Sequence, residues 1–313
     1  MSALNPIPWD GEPISVPGLY SGIPMADYHG QLTAGPSISS SGLRTIFNDS
    51  PAHYYARSYL NPERIEDDAS RAFVFGRAAH HLLLGEADFA AHFIVRPEEL
   101  DDKPWNSNRT ACKAWIERAE ECGLTILLPG EVKAIRGMAA GLHANPLVGA
   151  GILNGLIEHS MVWQDEETGV WVKVRPDAIP TDALDFADLK TAASVSDEWI
   201  EKAVGDHGYH VQAALVGIAC RAVLGRDMSS FSLIFSEKTP PHIARVKTLK
   251  PDDLDLGAKQ AKAALRLFAR CVDRNEWPGP GGEQSDAEYV EIKPWRRDQI
   301  LWKLERIEGE LAA

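Results

Sequence analysis

Three residues near the middle of the chain could do chemistry together: Asp177, Asp188 and Lys190. Two carboxylates converging on a divalent cation, with an ammonium beside them, are what hydrolysis of a phosphodiester needs. The metal balances the charge of the phosphorane-like transition state and lowers the pKa of a bound water, while the ammonium orients or stabilises that nucleophile. Asp177 and Asp188 are the candidate ligands, joined by the backbone carbonyl of Leu189, and Lys190 is the candidate ammonium. Mg2+ prefers such oxygen donors. D-x-K alone recurs by chance, and Pro176-Asp177 alone reads as a turn that ends a strand, so the case depends on the elements that hold these residues.

Residues 158–190 read as a hairpin followed by a third strand. Residues 161–164 and 170–174 are rich in β-branched and aromatic side chains, and 165–169 between them supply turn residues. Residues 185–191 form the third strand. Side chains alternate along a strand, so Asp188 and Lys190 project together while Ala187 and Leu189 face the other way. A carboxylate and an ammonium are thereby held side by side.

The 313 residues, 44% of them hydrophobic, suffice for one large domain or one domain with appendages. No basic and apolar leader pattern opens the chain and no apolar run approaches a membrane span, so the expectation is a cytoplasmic protein without a membrane partner. The cysteines, Cys112, Cys122, Cys220 and Cys271, stand far apart without a C-x-x-C pair, which argues for reduced thiols rather than zinc or an iron–sulfur cluster. A net charge of −13 argues against a surface that generally coats nucleic acid, though not against a local basic channel.

Residues 1–35, rich in Pro and Gly, read as an extended arm with little structure of its own; 36–280 as the main domain; and 281–313 as a linker with a C-terminal helix. Within the main domain, Ser39, Ser40 and Ser41 precede a short helix, Ser50-Pro51 opens another, and 61–70 is a polar loop. His80 lies on an apolar helix four residues after Gly76, with His81 beside it. Helices follow over 110–122 and 130–144. Beyond the Asp188 strand, a helix over 209–224 carries an apolar stripe of Val211, Leu215, Ile218 and Ala222, and Tyr209 and Gln212 share another of its faces. It leads to a strand at 231–236 placed alongside the Asp188 strand. An edge strand at 245–249 and helices at 253–274 and 294–311 complete the chain.

Several segments, in this order, are similar to a known family: Y-H with S-I-S-S-S-G-L and S-P-A-H-Y, F-G-R-A-A-H-H-L-L-L, E-H-S-M-V-W, V-K-V-R-P-D, D-L-K-T, G-Y-H-V-Q-A and E-K-T-P-P. They resemble the PD-(D/E)XK nucleases, and within them the RecE-type exonucleases of prophage recombination. The resemblance covers residues 28–278 and implies an α/β core with a central mixed β-sheet flanked by helices. Gly76-x-x-x-His80 matches the family's histidine motif and makes His80 a metal ligand. Glu158 matches an acidic position of the site, and Asp177, Asp188 and Lys190 match the nuclease triad. Tyr209 and Gln212 match the helix motif of RecB-like nucleases with order and spacing changed. Arg175 on the strand before Asp177 is a candidate contact to DNA phosphate.

The implied activity is Mg2+- or Mn2+-dependent degradation of linear double-stranded DNA from its ends, 5′ to 3′, leaving a strand for a RecT-type annealing protein. Alternatives are a Cas4-like or RecB-like nuclease acting on single strands, or a DNA-binding protein that has kept the fold without catalysis. An acidic exonuclease that stays on one DNA end needs enclosure more than long-range attraction, and RecE-type enzymes resemble one another in forming rings. A closed homo-oligomer, a tetramer by expectation, follows, with Trp295, Leu301, Leu304, Ile307 and Leu311 of the C-terminal helix available for the contact.

Overall fold

A computed structural model describes residues 4–65, 70–85, 89–181, 184–282 and 287–312. The polar segment expected at 61–70 and the linker expected from residue 281 fall partly outside the described residues. Ten strands form two five-stranded sheets. They are β1 (Ile7–Pro8), β2 (Gly18–Ser21), β3 (Ser37–Ser39), β4 (Leu156–Ile157), β5 (Ser160–Gln164), β6 (Trp171–Val174), β7 (Ala178–Ile179), β8 (Asp185–Ala192), β9 (Ser230–Glu237) and β10 (Ala244–Thr248). The first sheet runs β1-β2-β5-β6-β3 and the second β10-β9-β8-β7-β4.

The expected hairpin is present, with β5 and β6 antiparallel and Val172 opposite Trp163. The third strand does not join it. Pro176 follows β6, and its ring nitrogen has no proton to donate to a ladder; the chain leaves the first sheet there and continues as β7 of the second, antiparallel to β8. The core is thus the expected α/β arrangement of mixed sheet flanked by helices, divided here into two five-stranded sheets. β8 and β9 are parallel, Asp188 opposite Leu233, and β10 closes the edge antiparallel to β9.

Residues 4–35 are less bare than the sequence suggests. β2 pairs with β5, and Ile14, Tyr20, Tyr28 and Leu32 bury against Val162 and Trp171. Short strands broken by Pro and Gly leave no periodic pattern to read.

Helices cover the sheets: α1 (Ser40–Asn48), α2 (Pro51–Arg57), α3 (Arg71–Leu83), α4 (Thr110–Glu121), α5 (Pro129–Ala144), α6 (Asp197–Asp206), α7 (Tyr209–Ala219) and α8 (Pro251–Arg274). Ser50 caps α2, accepting from the His53 N–H. The main core joins Ile38 and Leu43, the hairpin's Trp163 and Val172, Phe186, Phe231 and Phe235 of the second sheet, and Phe268 of α8. The other face of β8 packs Ala187 and Leu189 on Leu142 and Ile234, as strand alternation requires. The single stripe expected on α7 holds at Val211 and Leu215 but not at its C-terminal end, and the buried surface is broader. Val211, Ala213, Ala214, Leu215, Val216 and Ala219 are all buried, whereas Ile218 is half-buried and Ala222 exposed. A helix enclosed on most sides has no single apolar face to reveal its orientation.

Residues 278–313 form a separate unit containing α9 (Pro294–Ala312), on which Trp295, Leu301, Trp302, Leu304 and Ile307 are all exposed. No helix among the described residues is long and apolar enough to cross a membrane.

Candidate active site

Asp188 and Lys190 sit two apart in the middle of β8, on the face turned towards α7, and form an ion pair. Gln212, one turn into α7, ties them together: its Nε2 donates to Asp188 Oδ1 at 3.0 Å, and its Oε1 accepts from Lys190 Nζ at 3.2 Å. The ring of Tyr209 lies against the same ammonium, its centroid 4.7 Å from Nζ. Asp177 arrives from the crossing between the sheets, where its Oδ2 accepts the Leu189 N–H at 2.6 Å. That bond fixes the second carboxylate beside the strand that carries the first.

His80 on α3 reaches the same point, with Nδ1 3.4 Å from Asp177 Oδ1. His81 turns away and is buried among the rings of Phe89, His92 and Phe93. Glu158 lies between β4 and β5 with φ of 55°, and its N–H bonds the Asp177 carbonyl at 3.4 Å. Its carboxylate is 3.9 Å from Arg175. Arg175 is itself largely buried. Nε donates to Ser160 Oγ at 2.8 Å, Nη2 donates to the Ile23 carbonyl at 2.9 Å, and the guanidinium stacks over Tyr28 at 4.5 Å. These contacts make it an anchor of the Glu158 loop more than an extended arm for phosphate. A cleft of about 820 Å3 opens here, lined by Glu158, Arg175 and Asp177 and by Phe73, Arg77 and His80 of α3.

The charges are strongly coupled by burial. Asp177 and Asp188 are only 8% and 1% exposed. Burial and then the neighbouring Asp177 charge raise the Asp188 pKa, against the pull of Lys190. Burial alone would also raise Asp177, but His80, Lys190 and the Leu189 N–H outweigh it and hold that carboxyl below the ordinary range. Burial pulls the His80 imidazole down, and Asp177 more than restores it, so its pKa is raised. Lys190 is likewise raised, because the two carboxylates outweigh its desolvation.

A divalent cation suits this donor set. Two buried carboxylates that repel each other are relieved by positive charge, and an imidazole completes a set of oxygen and nitrogen donors. Among the described residues, no three His, Cys, Asp or Glu side chains are close enough together to enclose an ion as they stand. Asp188 is turned to Lys190 and Gln212, and His80 shares Asp177.

One contributor went unread in the sequence. Arg44 of α1 donates to the His207 carbonyl just ahead of α7, and its charge is felt by Tyr209 and Asp188. It belongs to no local motif and reaches the cluster only through the packing of α1 on α7. Only the φ of 62° at Gly208, where a Cβ would come 2.8 Å from the Arg44 side chain, marks the junction.

A family model described as a PDDEXK-like domain of unknown function (DUF3799) matches residues 39–290. No curated protein matches the sequence. Among solved structures, the chain is similar to a protein from Eubacterium rectale described as a presumptive exonuclease, with a TM-score of 0.59 and 15% identity, over 87% of this chain and 96% of that one. At that identity the likeness speaks for the fold alone. The family model, in contrast, spans well over half of the chain and includes every catalytic candidate, and on that ground the protein belongs to the family of PDDEXK-like domains of unknown function.

Proposed function

We propose that the protein is a divalent-metal-dependent exodeoxyribonuclease that degrades linear double-stranded DNA from its ends in the 5′ to 3′ direction. The observation that carries this is the joined cluster of Asp177, Asp188, Lys190 and Gln212, which reaches the wall of an open cleft through Asp177. Asp177 and Asp188, with His80 and the Leu189 carbonyl, would hold Mg2+ or Mn2+, which supplies positive charge to the phosphate and acidifies water. The chain's own residues supply the rest. Lys190, kept protonated by its carboxylate neighbours, orients the attacking water and offsets developing charge. Gln212 fixes the rotamers of both Asp188 and Lys190, and the Tyr209 ring closes the far side of the ammonium. Arg175 sets the position of Glu158 at the cleft edge.

In this proposal the surviving strand passes to a RecT-type annealing protein, and the working form is a closed ring, with α9 as the contact between copies. The test is digestion of end-labelled linear duplex and closed circular duplex, with and without Mg2+. Loss of the linear substrate alone, only with Mg2+ or Mn2+, supports the proposal; Ca2+ is expected to permit binding with little cleavage because its looser geometry acidifies water less. Equal cutting of circles, or full activity in excess chelator, overturns it.

A further inference from the structure

Away from the cleft, β3, α1, α2 and β6 enclose a second pocket of about 510 Å3, within the roughly 300–1,000 Å3 range of small-molecule sites. At its base is Lys173, only 3% exposed. Its Nζ meets the Gly30 carbonyl at 3.4 Å and the rings of Tyr28 and Tyr59 at 5.3 and 5.4 Å. Among the described residues it has no carboxylate partner. A buried ammonium without a counter-charge is costly. Two ring faces and one carbonyl offset part of that cost, and an anion entering the pocket would offset the remainder.

The rest of the lining suits such an anion. Arg57, His29 and the hydroxyl-bearing Ser37, Ser39 and Ser41 stand around the pocket, with Asp49 the one acidic residue among the described residues that line it. Tyr54 and Tyr59 add aromatic surface. The pocket also leads back to the catalytic cluster: a smaller cavity shares His29, Ser39 and Ser41 with it and is lined by Arg175 and Gln212 as well. A ligand in the second pocket is therefore within one chain of adjoining cavities of the scissile site.

We propose that this pocket is a nucleotide subsite, with the phosphate monoester received by Lys173, Arg57 and the serine hydroxyls and the nucleoside lying along Tyr54 and Tyr59. The identity of the anion rests on the nuclease function proposed above. The same chemistry is offered by a mononucleotide released by cleavage and by the phosphorylated terminal nucleotide of a strand.

The experiment is calorimetric titration of the full-length protein without divalent metal, with a deoxynucleoside 5′-monophosphate, the matching deoxynucleoside, inorganic phosphate and a short oligonucleotide with or without its 5′-phosphate. The monophosphate should bind at least tenfold tighter than the deoxynucleoside, and Lys173→Met and Arg57→Ala should each weaken it at least tenfold. A matching preference for the phosphorylated oligonucleotide assigns the site to the strand terminus; binding of the free monophosphate alone assigns it to released product. Asp188→Asn should keep the binding, so a failure of the nuclease function and a failure of the subsite give different results. Absence of phosphate-dependent binding by the wild-type protein, or binding unchanged in both pocket variants once circular dichroism shows them folded, overturns the proposal.

Discussion

Gln212 is the residue whose role is most sharply drawn, because one carboxamide both donates to Asp188 and accepts from Lys190. Replacing it by Leu removes two bonds to charged groups, each worth about 1.5–3 kcal/mol. The expected result in steady-state kinetics is a kcat lower by about ten- to a hundredfold with KM little changed, since a group that positions others acts chiefly on the transition state. Asp188→Asn should lower the rate by about two to three orders of magnitude while a single cooperative unfolding transition persists in chemical denaturation. Lys173 presents the opposite balance. Burial, with Arg175 nearby, lowers its pKa to about 8 from 10.5, so below pH 8 the folded protein carries the cost of a charged buried group, roughly 3 kcal/mol at 1.36 kcal/mol per pKa unit. That cost fades between pH 8 and 10.5, where the unfolded chain binds the proton and the folded one does not. Lys173→Met is therefore expected to melt higher than the wild type at pH 7, with the gap closing as pH rises through that window; a constant gap would refute the assignment. The sequence shows which face of β6 bears Lys173 and Arg175, since alternation sets them opposite Val172 and Val174. It does not show that Tyr28 and Gly30 lie against that face, because only tertiary packing decides that.

At the scale of elements, the strands and most helices were legible from the residues themselves. Turn residues between two β-rich runs foretold the β5–β6 hairpin, and the helix at 209–224 was expected to set the next strand beside β8, where β9 is found. Which sheet a strand joins was not legible, because backbone hydrogen bonds carry no sequence label; Pro176 marked a strand end without revealing a change of sheet. The junction before α7 gives a test of how the elements position the site. Gly208 has φ of 62° and the Arg44 side chain within 2.8 Å of where a Cβ would stand. Gly208→Ala should destabilise by about 1–2 kcal/mol, the usual penalty for a left-handed residue with a Cβ, and should also lower kcat because Tyr209 and Gln212 start from this turn. A denaturation midpoint equal to wild type would show that the turn tolerates a side chain. Gly257 makes the matching point on α8, where a Cβ would stand 2.5 Å from the His210 carbonyl of α7.

At the scale of the whole molecule, residues 4–277 hold the cores and the site, while 278–313 form a unit of their own. Exposed Trp295, Leu301, Trp302 and Leu304 on one helix form more apolar surface than scattered residues need. Deleting 294–313 is expected to leave the melting temperature of the larger unit unchanged and, if α9 is the contact between copies, to convert the oligomer to monomer in sedimentation; an unaltered oligomer would place the contact elsewhere. The wide sequence span of the strand pairs has one more consequence. Ser37 pairs with Trp171, and Asp188 needs both β9 and Gln212. On a ribosome adding about 5–20 residues per second, the two carboxylates are made seconds before the strand and helix that align them. A nascent chain therefore carries the acidic residues without the strand and helix that join them, so under the function proposed above it has no cutting geometry until residue 237 has been made.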